Sequence, residues 1–317
     1  MRKSVDSLER PSDARRASGR FQTWRRLQSR VNLSDSAPPR ANLAVFMTRI
    51  SQRFAELKKQ NRAAFGPFVT AGDPNFDTSL ALLEALPKAG ADLIELGIPF
   101  SDPMADGPVN QASYLRALEA GMTVPKVLEM VRRFRKSDKA TPLILMGSYN
   151  PIHAYGTARF AKDAAEAGAD GLLIVDLPPE EDEVLRVPAA LHGLDVVRFV
   201  TPTSDDKRLD TILDGAGGYL YYVSMAGITG TRTISAADVA PHLAALRKRT
   251  SLPVTVGFGI RTPEQAAEIA RIADGVVVGS AIVERIAANL DRRRSQLQAE
   301  IVAFCADMAN AAHGARE

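Results

Sequence analysis

Eight short apolar runs, each followed by a helix-like pattern, punctuate this chain at intervals of about 20 to 50 residues, and this alternation is its strongest constraint on fold. The runs are AAFGPFVT (63–70), LIELG (93–97), PLILMG (142–147), GLLIVD (171–176), DVVRFV (195–200), YLYYVS (219–224), PVTVGFG (253–259) and GVVVGS (275–280). Because they are apolar throughout, they suit strands covered on both faces, and strands alternating with helices imply a parallel sheet. Eight such units in about 250 residues match a closed α/β architecture, the (β/α)8 TIM barrel. The competing open doubly wound sheet usually carries a glycine-rich phosphate fingerprint after its first strand, where this chain has TAGDP instead. Residues 50–60 read as an extra N-terminal helix and 291–312 as a long C-terminal one, both expected on the outside of the barrel.

The first 46 residues differ in kind. Rich in Arg, Ser, Asp and Pro and without a sustained apolar period, they read as a disordered basic extension or a misassigned start, leaving 47–317 as a single barrel domain. They hold ten Lys or Arg against four Asp or Glu, a balance of +6 in a chain whose net charge is +3, so the rest carries about −3. A domain with no basic excess is a poor nucleic-acid binder. Asp6, Glu9, Asp13 and Asp35 argue against an organelle transit peptide. A single cysteine, Cys305, excludes an intramolecular disulfide and leaves no cluster for zinc. With no run of eighteen apolar residues and no secretory stretch, the expectation is a cytoplasmic protein that does not enter a membrane.

Chemistry concentrates in ELGIPFSDPMADGP (95–108), which sets two carboxylates in contrasting surroundings. Glu95 sits in an apolar strand and should be desolvated; Asp106 sits in a loop of Pro, Gly and Ser and should be wet. Burial favours the protonated form of the first and hydrogen bonding the charged form of the second, which would supply an acid and an anion together. The bland alternatives are a solvated strand-end acid and an Asx-turn residue. In (β/α)8 enzymes the reacting groups lie at the C-terminal strand ends, with phosphate often held after strands seven and eight. Here those strands end in GFG (257–259) and GS (279–280), the second just before a helix start, although both also read as ordinary tight turns. SMAGITGTR (224–232) has the small residues of a covering loop. Tyr221 lies in the sixth strand, where its hydroxyl would want a polar partner such as Glu95. His153, His192, His242 and His313 have no acidic neighbour that would make them bases.

Taken together, FGPFVTAGDP, ELGIPFSDPMADGP, LMGSYNP, GLLIVDLPPEE, SMAGITG, GFGI and VVVGSAIV occur in the order of a known family. From about Met47 to its end the chain resembles the α subunits of tryptophan synthase. That resemblance implies a lyase cleaving indole-3-glycerol phosphate by a retro-aldol reaction into indole and glyceraldehyde 3-phosphate, with Glu95 as general acid/base, Asp106 at the indole N–H, and Tyr221 beside them. It further implies phosphate binding by Gly230, Gly259, Gly279 and Ser280, an indole pocket of Phe68 and Phe258, and a lid carrying Thr229. No cofactor is implied in this chain. Pyridoxal phosphate is expected in a partner β subunit, in an α2β2 complex that receives the indole across the loop 99–106. A free-standing indole-3-glycerol phosphate lyase is the alternative, and a barrel that binds a phosphorylated ligand without catalysis is a more distant one. The chain departs from the family's pattern in its extension, at Ser148 before YNP, and at Asn110, which is polar where an apolar residue near the indole is usual.

Overall fold

The computed structural model describes residues 48–223, 235–257 and 259–316. It opens with helix α1 (Arg49–Lys59), strand β1 (Ala64–Thr70) and α2 (Phe76–Ala85), then β2 (Ile94–Gly97), α3 (Pro108–Glu119) and α4 (Val124–Ser137). Next come β3 (Leu143–Gly147), α5 (Tyr149–Tyr155), α6 (Thr157–Ala167), β4 (Gly171–Ile174) and α7 (Glu183–Leu191). After these follow β5 (Asp195–Val196), β6 (Arg198–Val200), α8 (Asp206–Leu213), β7 (Leu220–Val223) and α9 (Ala236–Leu246). The chain finishes with β8 (Val254–Gly257), α10 (Pro263–Ala270), β9 (Gly275–Val278), α11 (Ser280–Ala287) and α12 (Arg294–His313).

All strand pairs are parallel, in the order β5-β4-β3-β2-β1-β9-β8-β7-β6. Nine strands replace the expected eight because the run DVVRFV is divided at Val197. Its first half pairs with β4 and its second with β7, so one residue closes the ring. The β4–β5 ladder ends at Leu172↔Val196, followed only by a bond from Val197 N–H to Leu172 O at 2.9 Å. Beyond that point no ladder joins β4 to β6. A cavity of about 380 Å³ occupies this seam, lined by Ile174, Val175, Arg198, Phe199 and Thr201 among others.

Alternation along each strand sorts side chains into two cores. Ile94, Leu96, Leu145, Leu172, Leu220 and Tyr222 point outward and pack under the helices. Ala64, Phe68, Leu93, Ile144, Met146, Leu173, Val197, Tyr219, Tyr221 and Val277 fill the barrel. Helix α12 packs on the outside as expected, through Leu297, Ile301, Phe304, Cys305 and Met308. Helix α1 does not. Its Ile50, Phe54 and Leu57 join the interior cluster, and Phe54 meets the Tyr219 ring at 5.8 Å, so the helix plugs the N-terminal end of the barrel. Amphipathicity requires that one face of α1 be buried but does not say against which surface, which is why the expectation placed it wrongly. Burying each of those apolar side chains stabilises by roughly 1.5–3 kcal/mol.

A repeated device orders this lower end. Asp92, Asp170 and Asp274 each precede a strand. Each donates its own N–H to the carbonyl of Phe65, Leu143 or Val254 respectively, at 2.9 Å, and its carboxylate accepts the N–H of the same residue at 2.8–2.9 Å. Cations then pair with the carboxylates: Arg53 and Arg62 with Asp92 at 3.3 and 3.2 Å, Arg49 and Arg135 with Asp170 at 2.5 and 2.6 Å. His313 meets Asp92 at 2.7 Å, the acidic partner that local sequence did not reveal. Thr48, the N-cap of α1, donates from its hydroxyl to Asp195 at 2.8 Å.

Candidate active site

Glu95 follows from the strand pattern: Ile94 and Leu96 point to the outer core, so the residue between them points into the barrel. It is 1 % exposed. The Tyr219 hydroxyl donates to its Oε1 at 2.6 Å, while Oε2 is buried and has no hydrogen-bond partner. Desolvation pushes its pKa up to about 7, with the Tyr219 bond acting in the opposite direction. A carboxyl group in this state holds a proton near neutrality and keeps one oxygen open to a ligand.

The tyrosine on Glu95 is thus Tyr219, two positions before the expected Tyr221. Both point inward, since the strand period is two. Burial, then the charges of Glu95 and of Asp106, raise the Tyr221 phenol well above its ordinary value, and the side chain belongs to the interior cluster with Phe68 and Tyr114. Its hydroxyl also explains Gly257: a Cβ there would stand 1.7 Å from the Tyr221 oxygen, so the neighbouring strand must be bare at that point.

Asp106 differs from the expectation. It is 7 % exposed rather than wet, and desolvation raises its pKa. The reason lies in α3, which starts directly after the loop and turns one face over the carboxylate. Asn110 Nδ2 donates to Asp106 Oδ1 at 3.1 Å and Tyr114 OH to Oδ2 at 3.4 Å, while the Asp176 charge pushes the pKa further up. Gln111 donates from its side chain to the Asp106 carbonyl at 2.7 Å, fixing the loop end. Loop composition alone cannot foresee such a cover, whereas the one-turn spacing of Asp106, Asn110 and Tyr114 contains the signal.

Phe68, on β1, stands beside Glu95 in the register, and Tyr114 lies in the same interior cluster. Gly97 makes this possible: a Cβ there would meet the Phe68 ring at 2.8 Å and Tyr114 at 3.3 Å. An apolar wall of Phe68, Tyr114, Met146 and Leu173 therefore adjoins the two acids. On the opposite side of β1, Gly279 is the N-cap of α11 without a side-chain cap, and Ser280 opens that helix; a Cβ on Gly279 would reach Phe68 at 3.4 Å. Backbone N–H groups at such a helix start attract an anion. Gly259 has φ +78°, a conformation suited to glycine. Thr229, Gly230 and Phe258 lie outside the described residues. Among the described residues no cluster of three or more His, Cys, Asp or Glu is arranged to hold a metal ion, and no helix is long and apolar enough to cross a membrane.

Set beside known proteins, residues 54–313 match the family described as tryptophan synthase alpha chain. The crystal structure of tryptophan synthase subunit alpha from Legionella pneumophila is 43% identical, with a TM-score of 0.78 over 84% of this chain and 98% of that one. A structure from Aquifex aeolicus is 34% identical, with a TM-score of 0.76 over 84% of this chain and 100% of that one. Tryptophan synthase from M. tuberculosis, in its aminoacrylate-bound form, is 30% identical, with a TM-score of 0.74 over 84% and 100% of the two chains.

Proposed function

Because this chain belongs to the tryptophan synthase alpha chain family, whose members cleave indole-3-glycerol phosphate into indole and glyceraldehyde 3-phosphate, we propose that Glu95 and Asp106 carry that reaction here. The chain is a carbon–carbon lyase of tryptophan biosynthesis built on a (β/α)8 barrel. In the proposed mechanism Glu95, protonated near pH 7, delivers its proton to indole C3 and makes the ring an electron-poor indolenine. The Asp106 carboxylate faces the ring N–H and stabilises the positive charge growing on nitrogen. Glu95, now a carboxylate, removes the proton from the hydroxyl on the carbon attached to C3. The aldehyde of glyceraldehyde 3-phosphate forms, the C–C bond breaks, and its electron pair restores the indole.

The observation that carries this reading is the open Oε2 of a buried Glu95, inside a barrel whose interior cluster also holds Phe68 and the Tyr114 that bonds Asp106. Tyr219 holds the other oxygen, and Tyr221 lies against the pair. Phe68, with Phe258, lines the indole; Gly259, Gly279 and Ser280, with Gly230, receive the phosphate; and Thr229 belongs to the lid. Residues 47–317 are the working unit, and the first 46 take no part in the chemistry.

Alpha subunits of this family need no cofactor of their own, pyridoxal phosphate belonging to the β subunit, and the family pairs with that subunit. For this chain the proposed assembly is a cytoplasmic α2β2 complex that passes indole to the partner. The loop before α3 supports this surface: Met104 is 88 % exposed, and methionine is enriched at protein interfaces. Indole release is measured on the purified chain alone and after mixing with a tryptophan synthase β subunit. A strong increase on mixing is expected; equal high turnover alone would instead mark a free-standing lyase.

A further inference from the structure

Asn110 is a polar residue near the two acids, and the structure gives it a position. It stands on α3 one turn after Asp106, with its amide nitrogen on Asp106 Oδ1 at 3.1 Å and its amide oxygen buried without a hydrogen-bond partner. A buried acceptor left open costs free energy that a ligand donor recovers. Among the described residues the other buried side-chain oxygens without a partner are Glu95 Oε2, in the reaction site itself, and Asn289 Oδ1, which follows α11. We propose that Asn110 is a specificity and positioning residue of the indole site: its NH2 group orients the Asp106 carboxylate, and its Oδ1 accepts a hydrogen bond from a donor on the benzenoid ring carbon beside the indole nitrogen. The site therefore favours a hydroxyl over a methyl group at the 7-position.

This rests on the placement of the indole N–H at Asp106. Given that placement, a group that shares the Asp106 carboxylate faces the ring edge next to nitrogen, and a donor at that edge reaches an oxygen otherwise left unpaired. A pocket that hydrogen-bonds a substrate group discriminates far better against its absence than an apolar pocket discriminates by size. The Asn110 bond also opposes the burial that raises the Asp106 pKa. The other titratable groups facing Asp106 are Tyr114 on α3, Tyr221 on β7 and Asp176 after β4.

The test runs the reaction backwards, condensing glyceraldehyde 3-phosphate with indole, 7-hydroxyindole or 7-methylindole in the α/β complex. The wild-type kcat/KM ratio of hydroxy to methyl substrate is expected to be about tenfold, and Asn110→Leu is expected to abolish it. Asn110→Asp keeps an acceptor but loses the donor, so it retains the hydroxyl preference. In both variants the acid limb of the kcat/KM profile with unsubstituted indole moves to higher pH, a change that looser packing alone would not produce. An unchanged ratio in Asn110→Leu overturns the specificity role, and an unmoved acid limb in both variants overturns the positioning role. The underlying reading is checked separately by the unsubstituted reaction: if Glu95→Gln condenses plain indole at the wild-type rate, the site assignment fails whatever the ratios.

Discussion

Two sets of buried carboxylates in the barrel are held in opposite ways. At the N-terminal end Asp92 and Asp170 each accept a backbone N–H and face two arginines, and they tie strand starts together. At the C-terminal end Glu95 and Asp106 are equally hidden but have no cation among the described residues; tyrosines and an asparagine are their donors. Burial raises the pKa of Asp170 as well, but there two arginines oppose it and the pair builds structure, whereas Glu95 has only the Tyr219 hydroxyl to oppose its burial and becomes a reagent. The aspartate bridges at the strand starts thus serve stability, and the cation-free pair at the other end of the strands serves chemistry.

The contrast is broken most sharply by substitution at the reactive end. Glu95→Gln is expected to reduce indole release about a thousandfold, in line with the loss of a general acid and base. The same change is expected to stabilise the fold. A carboxyl whose pKa rises from 4.5 to about 7 on folding binds more protons in the native state between those values, so stability falls as pH climbs through that window. By the proton-linkage arithmetic the gain in Glu95→Gln approaches roughly 3 kcal/mol above pH 7 and vanishes near pH 4.5. Denaturant unfolding at three pH values measures it; a variant less stable than wild type at pH 8 would contradict the unpaired state of Glu95.

Asp170→Ala is expected to do the reverse. It leaves Arg49 and Arg135 without their shared carboxylate and costs about 3 kcal/mol of stability, with kcat per folded molecule unchanged. Asp106→Asn comes next, losing about a hundredfold in kcat with modest change in folding, read from steady-state rates and thermal melts. Smallest is Tyr219→Phe. Wild-type kcat/KM should fall above about pH 7 as Glu95 loses its proton, and removing a bond that favours the anion moves that alkaline limb upward. If the limb stays in place, Tyr219 does not govern the acid.

Sequence carried the two ends unequally. The parallel strands, their order of occurrence and the burial of Glu95 are written in the apolar runs, whereas its inward aim follows only once Ile94 and Leu96 are seen to face the outer core. The glycines at 97 and 257 became intelligible only beside Phe68 and Tyr221, across strand pairs that no local pattern specifies. Tyr219 was passed over for Tyr221, since both satisfy the same alternation and distance along the barrel decides between them. Asp106 looked wet because a loop's composition reports its irregularity and not what later folds over it. The triple aspartate bridge of the lower end was present as GAD, GAD and IAD before three of the strands, a repeat whose meaning depends on hydrogen bonds between units 20 or more residues apart.

The division at Val197 gives the wall a place where it can part. Elsewhere around the circle each strand is stitched to both neighbours, but past the Val197 N–H bond to Leu172 no ladder among the described residues joins the edges of β4 and β6, and a cavity of about 380 Å³ lies at that seam. With fewer backbone hydrogen bonds to break at this seam, local opening of the wall is expected first beside Val175 and Phe199, as faster amide exchange there than along β2 or β9.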